Sequence, residues 1–238
     1  MHLKKIIVDQ NKFPTREHYP FNLEIIQSLT QIEFPKPVVF FIGENGTGKS
    51  TLLKAIARRS GIYLWGQSDR KRFKHNPHEY KLYQSLSIEW SDGSVPGSFF
   101  GAETFKHFTQ ILDEWAADDP GVLNFFGGSS LVTQSHGQSL MSYFKSRYQI
   151  RGLYLMDEPE TALSPKSQLE LVKLLGDMAK AEHAQFVIAT HSPILLACPE
   201  AAIYSFDSVP IQKVSYEETD YYRVYKTFLN NRTDFLNY

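Results

Sequence analysis

An α/β fold built on a parallel sheet is what this 238-residue sequence predicts, and two segments predict it. In the first, the apolar run Pro37-Val-Val-Phe-Phe-Ile42 enters Gly43-Glu-Asn-Gly-Thr-Gly-Lys-Ser-Thr51, after which Leu52, Leu53, Ile56 and Ala57 recur at helical spacing. That is strand, glycine loop, helix. In the second, residues 152–156, 165–181 and 185–189 read as strand, helix, strand, the alternation of parallel βαβ units with a buried sheet. A hydrophobic content of 42% is enough to fill the core of one α/β domain with an inserted lobe, or at most two small domains.

Taken in order, residues 3–8 read as a strand, and residues 9–36 as a proline-dotted approach carrying the aromatics Phe13, Tyr19 and Phe21. An aromatic here can stack on a base, although packing of an edge segment is the commoner use. The helix after the glycine loop spans about residues 49–59. Residues 60–98 form a polar, glycine-punctuated stretch with one strand at 82–90, ended by Ser91-Asp-Gly-Ser. Phe105, Phe108, Ile111, Leu112 and Trp115 share one face of a helix over 103–115. Residues 118–138 are loop-like and 140–148 helical. The tail holds a strand at 202–206, a hairpin partner near 211–216 and a helix from about Asp220.

The formal net charge of −1 places no global electrostatic demand for nucleic acid or an anionic membrane on the chain. A local basic cluster, Arg70, Lys71, Arg72 and Lys74 with Lys81 beyond, is in its ordinary reading a solvated loop and in its functional one a nucleic-acid contact. The single cysteine, Cys198, excludes an internal disulfide and fits a reducing compartment, so cytoplasm is the expected location. No apolar run approaches the ~20 residues that span a bilayer, and Met-His-Leu-Lys-Lys-Ile-Ile-Val-Asp breaks at a charge before a signal-peptide core can form. Direct membrane insertion is not expected.

Three short stretches carry chemistry. In the first, Gly43, Gly46 and Gly48 let successive backbone N–H groups, those of Glu44, Asn45 and Thr47 among them, line one concavity that suits phosphate. Lys49 adds a full positive charge for β- and γ-phosphates, Ser50 offers a hydroxyl to Mg²⁺, and the helix from Lys49 through Thr51 aims its positive end at the same place. The second is Asp157-Glu158-Pro159-Glu160 at the end of an apolar strand, the edge where open α/β sheets bind ligands. Asp157 can hold Mg²⁺ and Glu158 can orient and deprotonate an attacking water; taken alone, such acids also cap the following helix. In the third, Thr190-His191-Ser192 after the next strand, a histidine can donate a hydrogen bond to a γ-phosphate and so report its presence.

Glycine loop, acid pair followed by proline, and a lone histidine after a later strand, in that order, resemble the ATP-binding-cassette class of ATPases. That class carries a signature loop, commonly Leu-Ser-Gly-Gly-Gln, shortly before the acid strand. Gln134-Ser-His-Gly-Gln-Ser139 stands there, with Ser135, Gly137 and Gln138 matching and His136 where glycine is usual. Within the class, Asp157-Glu-Pro-Glu-Thr-Ala-Leu-Ser-Pro165 resembles the non-transporter branch related to the RecF, OLD and SMC groups, and nearly the whole chain resembles small bacterial stand-alone ATPases. The resemblance implies a three-layer P-loop ATPase with a helical lobe over about residues 99–150, Mg²⁺ as cofactor and ATP as substrate. It further implies a head-to-tail homodimer in which Ser135, His136, Gly137 and Gln138 close on the other subunit's nucleotide. The family's lobe-entry glutamine has no clear counterpart: Gln84 lies early in a strand and Glu103 stands at the strand-to-helix junction.

Two purposes stay open. One is an ATPase switch acting with a protein or nucleic-acid partner in DNA repair, phage defence or a toxin system, favoured by the 157–165 variant and the unclear glutamine. The other is the detached motor subunit of a membrane transporter. Binding without turnover is a third, against which Lys49, Asp157, Glu158 and His191 all speak.

Overall fold

The structure, a computed structural model, describes residues 1–65, 76–126, 128 and 136–235. Strand β1 (Leu3–Val8) opens the chain, and the approach to the glycine loop holds a short helix α1 (Glu24–Ser28) and strand β2 (Gln31–Glu33), neither of which the sequence announced. β3 (Val38–Ile42) and α2 (Lys49–Arg59) flank the loop as expected. The apolar run 82–90 is strand only in its second half, β4 (Leu86–Trp90). Its first half, Leu82–Ser85, is a 3-10 turn: β1 ends at Val8, the partner of Leu86, the Asp9 N–H makes one more bond to the Ser85 carbonyl at 2.8 Å, and the chain then turns into a 3-10 segment over Gln10–Lys12 instead of extending the ladder.

The sequence marks a second strand here only through the strand-to-helix junction before Glu103. β5 (Gly97–Gly101) carries two glycines after a proline, the composition of a turn, yet it pairs in parallel with the strand at 152–157. A Cβ on Gly97 would collide with the Leu153 carbonyl, so the close approach of the two backbones requires glycine there. Next come α3 (Ala102–Asp118), a 3-10 turn over Pro120–Phe126 and α4 (His136–Arg147), which starts inside the stretch expected to be loop. β6 (Gly152–Asp157), α5 (Pro165–Lys180), β7 (Ala184–Ala189), α6 (Pro193–Leu196), β8 (Ala202–Ser205), β9 (Gln212–Val214) and α7 (Asp220–Asn230) complete the chain.

The strands form a three-stranded antiparallel sheet, β2-β1-β4, and a six-stranded sheet, β5-β6-β7-β3-β8-β9, parallel except for its last strand. Along β3 the side chains alternate between two cores. Val39 and Phe41 join Leu52, Leu53 and Ile56 of α2 and Leu3 and Ile6 of β1; Val38, Phe40 and Ile42 join Phe105, Leu140, Leu171 and Leu195 from α3 to α6. Coverage of both faces explains why β3, β6 and β7 read as continuous apolar runs, and it makes three layers. Residues 99–150 thus open on the end of β5, and α3 and α4 pack onto the central sheet through Phe105, Phe108, Leu140 and Phe144.

A fully buried side chain, Gln185, links the two sheets. The Gln185 Oε1 in β7 accepts from the backbone N–H groups of His2 and Leu3 at 2.8 and 2.7 Å, and its Nε2 donates to the Leu3 carbonyl at 2.9 Å. Gln185→Leu strands three buried backbone groups, so a loss of roughly 2–4 kcal/mol in urea unfolding with an unchanged m-value is expected. An unaltered midpoint would remove Gln185 as the joint.

Candidate active site

Parallel strands end on one edge, and there the three stretches meet. Asp157 pairs with Ala189, Ala189 with Phe41, and Ile42 with Ser205, so the exits of β6, β7, β3 and β8 lie side by side. The loop after β3 takes its shape from glycines with φ of 139° at Gly43, 86° at Gly46 and 103° at Gly48. A side chain at Gly48 would also press on Ile25 and Leu23. Glu44, Asn45 and Gly46 are exposed at the crest, Thr47, Ser50 and Thr51 are partly exposed, and Lys49 is buried at the base.

The Lys49 ammonium folds back to donate to the Gly43 carbonyl at 2.5 Å and the Glu44 carbonyl at 2.9 Å. Burial lowers its pKa, while Glu158, Asp207, Asp157 and Glu44 pull the other way. The Ser50 hydroxyl donates to Asp157 Oδ1 at 2.7 Å, and Lys54 stands 3.4 Å from Asp157 Oδ2. Two hard oxygens at one point, on a partly exposed edge, suit Mg²⁺, which takes one or two protein oxygens and completes its shell with water and phosphate. Among the described residues no group of three or more His, Cys, Asp or Glu could hold a metal without such help.

Glu158 sits at φ 49°, ψ 54°, a left-handed conformation that costs a residue with a side chain about 1–3 kcal/mol and is concentrated at functional sites. Its N–H donates to the Ala189 carbonyl at 2.9 Å, and its Oε1 stands 3.6 Å from His191 Nε2. The acid and the histidine, from neighbouring strands, therefore face each other.

Sequence reasoning missed several residues of this edge. Glu160 Oε1 accepts the His191 backbone N–H at 2.6 Å, while its Oε2 is buried without a hydrogen-bond partner; burial raises its pKa. Asp207, two residues past β8, accepts the Glu44 N–H at 2.7 Å and steadies the loop. Tyr221 of α7 reaches both His191 and Gly43. Glu160 stood inside a quoted motif, whereas nothing local marked Asp207 or Tyr221.

The remaining candidates are less central. Of the three aromatics, Phe21 is fully buried and packs on Phe13, whereas Tyr19 is 40% exposed and its hydroxyl meets Thr51 Oγ1 at 2.6 Å. Gly137 and Gln138 lie in the first turn of α4, Gly137 against Ala162 and Ser167, and Gln138 exposed. His136 opens that helix; Ser135 lies outside the described residues, as do Arg70, Lys71, Arg72 and Lys74. Gln84 is exposed in the 3-10 turn, and Glu103 follows β5, whose Gly101 pairs with Asp157. No helix among the described residues is long and apolar enough to cross a membrane.

Comparison with known proteins places the chain beside ATP-binding proteins. Residues 136–197 match the model described as "AAA domain, putative AbiEii toxin, Type IV TA system", and residues 21–96 match one described as "AAA domain". The iron(3+)-hydroxamate import ATP-binding protein FhuC of Bacillus subtilis is 26% identical over 70% of this chain and 67% of its own. The macrolide export ATP-binding/permease protein MacB of Psychrobacter cryohalolentis is 26% identical over 78% of this chain, which spans only 30% of MacB. In the uncharacterized ABC transporter ATP-binding protein YcjV of Escherichia coli the matched part is 48%. A nucleotide-free ATP-binding cassette from an ABC transporter superposes with a TM-score of 0.54 at 13% identity, covering 100% of both chains. An SMC head bound to the C-winged helix domain of ScpA superposes with a TM-score of 0.51 at 12% identity, covering 79% of this chain and 94% of that one. With the glycine loop, the acid pair and the histidine gathered at one sheet edge, the chain has the fold of the P-loop ATPases and is similar in sequence to their ATP-binding-cassette class.

Proposed function

We propose that the chain hydrolyses Mg-ATP as a switch whose closed state is a head-to-tail dimer. The observation that carries this is the 2.7 Å bond between Ser50 and Asp157, which brings the loop and the acid strand to the one point where a phosphate-bound cation would sit. In this reading the N–H groups of residues 43–51 cradle the phosphates, and Lys49 leaves its two carbonyls to balance their charge. Glu158 orients the attacking water and takes its proton, His191 meets the γ-phosphate, and Tyr19, the exposed aromatic beside the loop helix, stacks on the base. Mg²⁺ held by Ser50 and Asp157 would neutralise charge developing on the phosphate oxygens. The signature stretch Ser135, His136, Gly137 and Gln138 closes on the partner's γ-phosphate, to which the start of α4 offers a helix N-terminus.

The test has two arms. Phosphate release should require Mg²⁺ and stop with chelator. In Glu158→Gln, whose bound ATP persists, light scattering should give a dimer with Mg-ATP and a monomer without it, and adding Ser135→Arg should abolish the shift. A Glu158→Gln protein that binds ATP and stays monomeric would sink the trans role of the signature loop while leaving the ATPase intact. The identity to FhuC favours a second reading, the motor subunit of a transporter, which predicts recovery of the native protein with a membrane-embedded partner.

A further inference from the structure

Tyr221 makes two hydrogen bonds with one proton. Its hydroxyl lies 2.9 Å from the Gly43 carbonyl, which can only accept, so the phenol donates there; the second acceptor position of that carbonyl takes Lys49. The same oxygen lies 2.8 Å from His191 Nδ1 and, its proton spent, can only accept from it. The Nδ1 nitrogen therefore carries the hydrogen, and neutral His191 has a bare lone pair at Nε2. That atom is buried, has no hydrogen-bond partner, and stands 3.6 Å from Glu158 Oε1, where a lone pair faces a carboxylate across a gap too long for a hydrogen bond. The phenol is held in place from behind: its ring sits edge-on to the imidazole at 5.5 Å, and Thr219, almost fully buried, caps the start of α7 one residue earlier.

We infer that Tyr221 is a positioning residue for His191, one that fixes the imidazole proton on Nδ1 so that the histidine can donate from Nε2 to a phosphate only after taking up a second proton. The proton balance is simple: one proton enters from solvent onto the Nε2 lone pair, no covalent bond of the protein breaks, and the imidazolium then donates from both nitrogens. The charged and titratable groups around the ring are Glu158 and Glu160 after β6, Lys49 of α2, Glu44 of the loop, Asp207 after β8 and Tyr221 of α7. Burial first, and then the Lys49 ammonium, hold the His191 pKa down, so the ring rests neutral more readily than a free histidine. An arriving phosphate reverses that balance, because it draws Lys49 away from its carbonyls and brings negative charge. Tyr221 thus turns occupancy of the site into uptake of a proton.

This inference rests on the reading of His191 as the group that meets the γ-phosphate, and the experiment separates the two. In nucleotide-free protein labelled with ¹⁵N-histidine, long-range ¹H–¹⁵N correlations should show His191 with its proton on Nδ1. In Tyr221→Phe, which keeps the ring packing but removes the acceptor, the proton should move to Nε2, where the Glu158 carboxylate attracts it. Calorimetry with Mg-AMP-PNP in buffers of different ionisation enthalpy should then give proton uptake for the parent and less for Tyr221→Phe, with turnover altered more in kcat than in KM. A parent His191 protonated on Nε2, or a Tyr221→Phe protein with parental tautomer and uptake, overturns the role of Tyr221. Parental turnover in His191→Gln would instead remove the histidine from the reaction and leave the tautomer result standing.

Discussion

Replacing Glu158 by glutamine should slow the chemical step by roughly 10²–10⁴-fold, the range for loss of a general base. Glutamine has nearly the size of glutamate and can still hold a water, but it cannot accept the water's proton. The backbone argument strengthens the test. Position 158 already bears the strain of a left-handed conformation and the tether of its N–H to Ala189, and glutamine inherits both without a new contact. Nucleotide affinity should survive, since Ser50, Asp157 and the loop are untouched. Single-turnover phosphate release reads the rate, and calorimetry reads the binding. Parental turnover would cost Glu158 its role as base, and loss of binding together with turnover would make its role structural.

Lys49→Ala should weaken ATP binding by ~10-fold or more, about 1.4 kcal/mol or greater. The reason lies in where the ammonium rests. It is 4% exposed, and it is held by the Gly43 and Glu44 carbonyls, both easily exchanged for phosphate oxygens, so its desolvation is already incurred before nucleotide arrives. Alanine removes the only lysine of the loop and leaves the phosphates to the N–H groups alone. The loop itself should hold, because Tyr221 still donates to Gly43 and Asp207 still accepts from Glu44. Titration calorimetry beside a thermal melt separates the effects. Unchanged affinity in a folded protein takes Lys49 out of phosphate binding.

The elements flanking these residues were legible because their signals are local. β3, α2, β6, α5 and β7 are apolar runs or amphipathic periods that burial on a two-sided sheet demands, and each was anticipated to within a residue or two. β5 was legible only at its junction with the following helix, because its glycines serve a close approach to β6 that exists only once the sheet is assembled, and in sequence they look like a turn. The first half of the 82–90 run failed for the opposite reason: its side chains suit a strand, but beyond Asp9 the partner chain turns into a 3-10 segment instead of extending the ladder.

The site divides in the same way. Residues 43–51 are contiguous, so their glycine angles, lysine and hydroxyls are a property of one chain segment, and the sequence by itself determined them along with the acids and the histidine that follow strands. Tertiary structure alone decided which strand ends lie together, and with them the Ser50 to Asp157 bond across 107 positions and the Gly43 to Tyr221 bond across 178. It also recruited Glu160, Asp207 and Tyr221 to hold His191 and the loop. The physical reason is that a hydrogen bond between distant segments depends on strand order and helix placement, which many side chains set jointly, whereas a backbone angle or a charge is set by the residue that carries it.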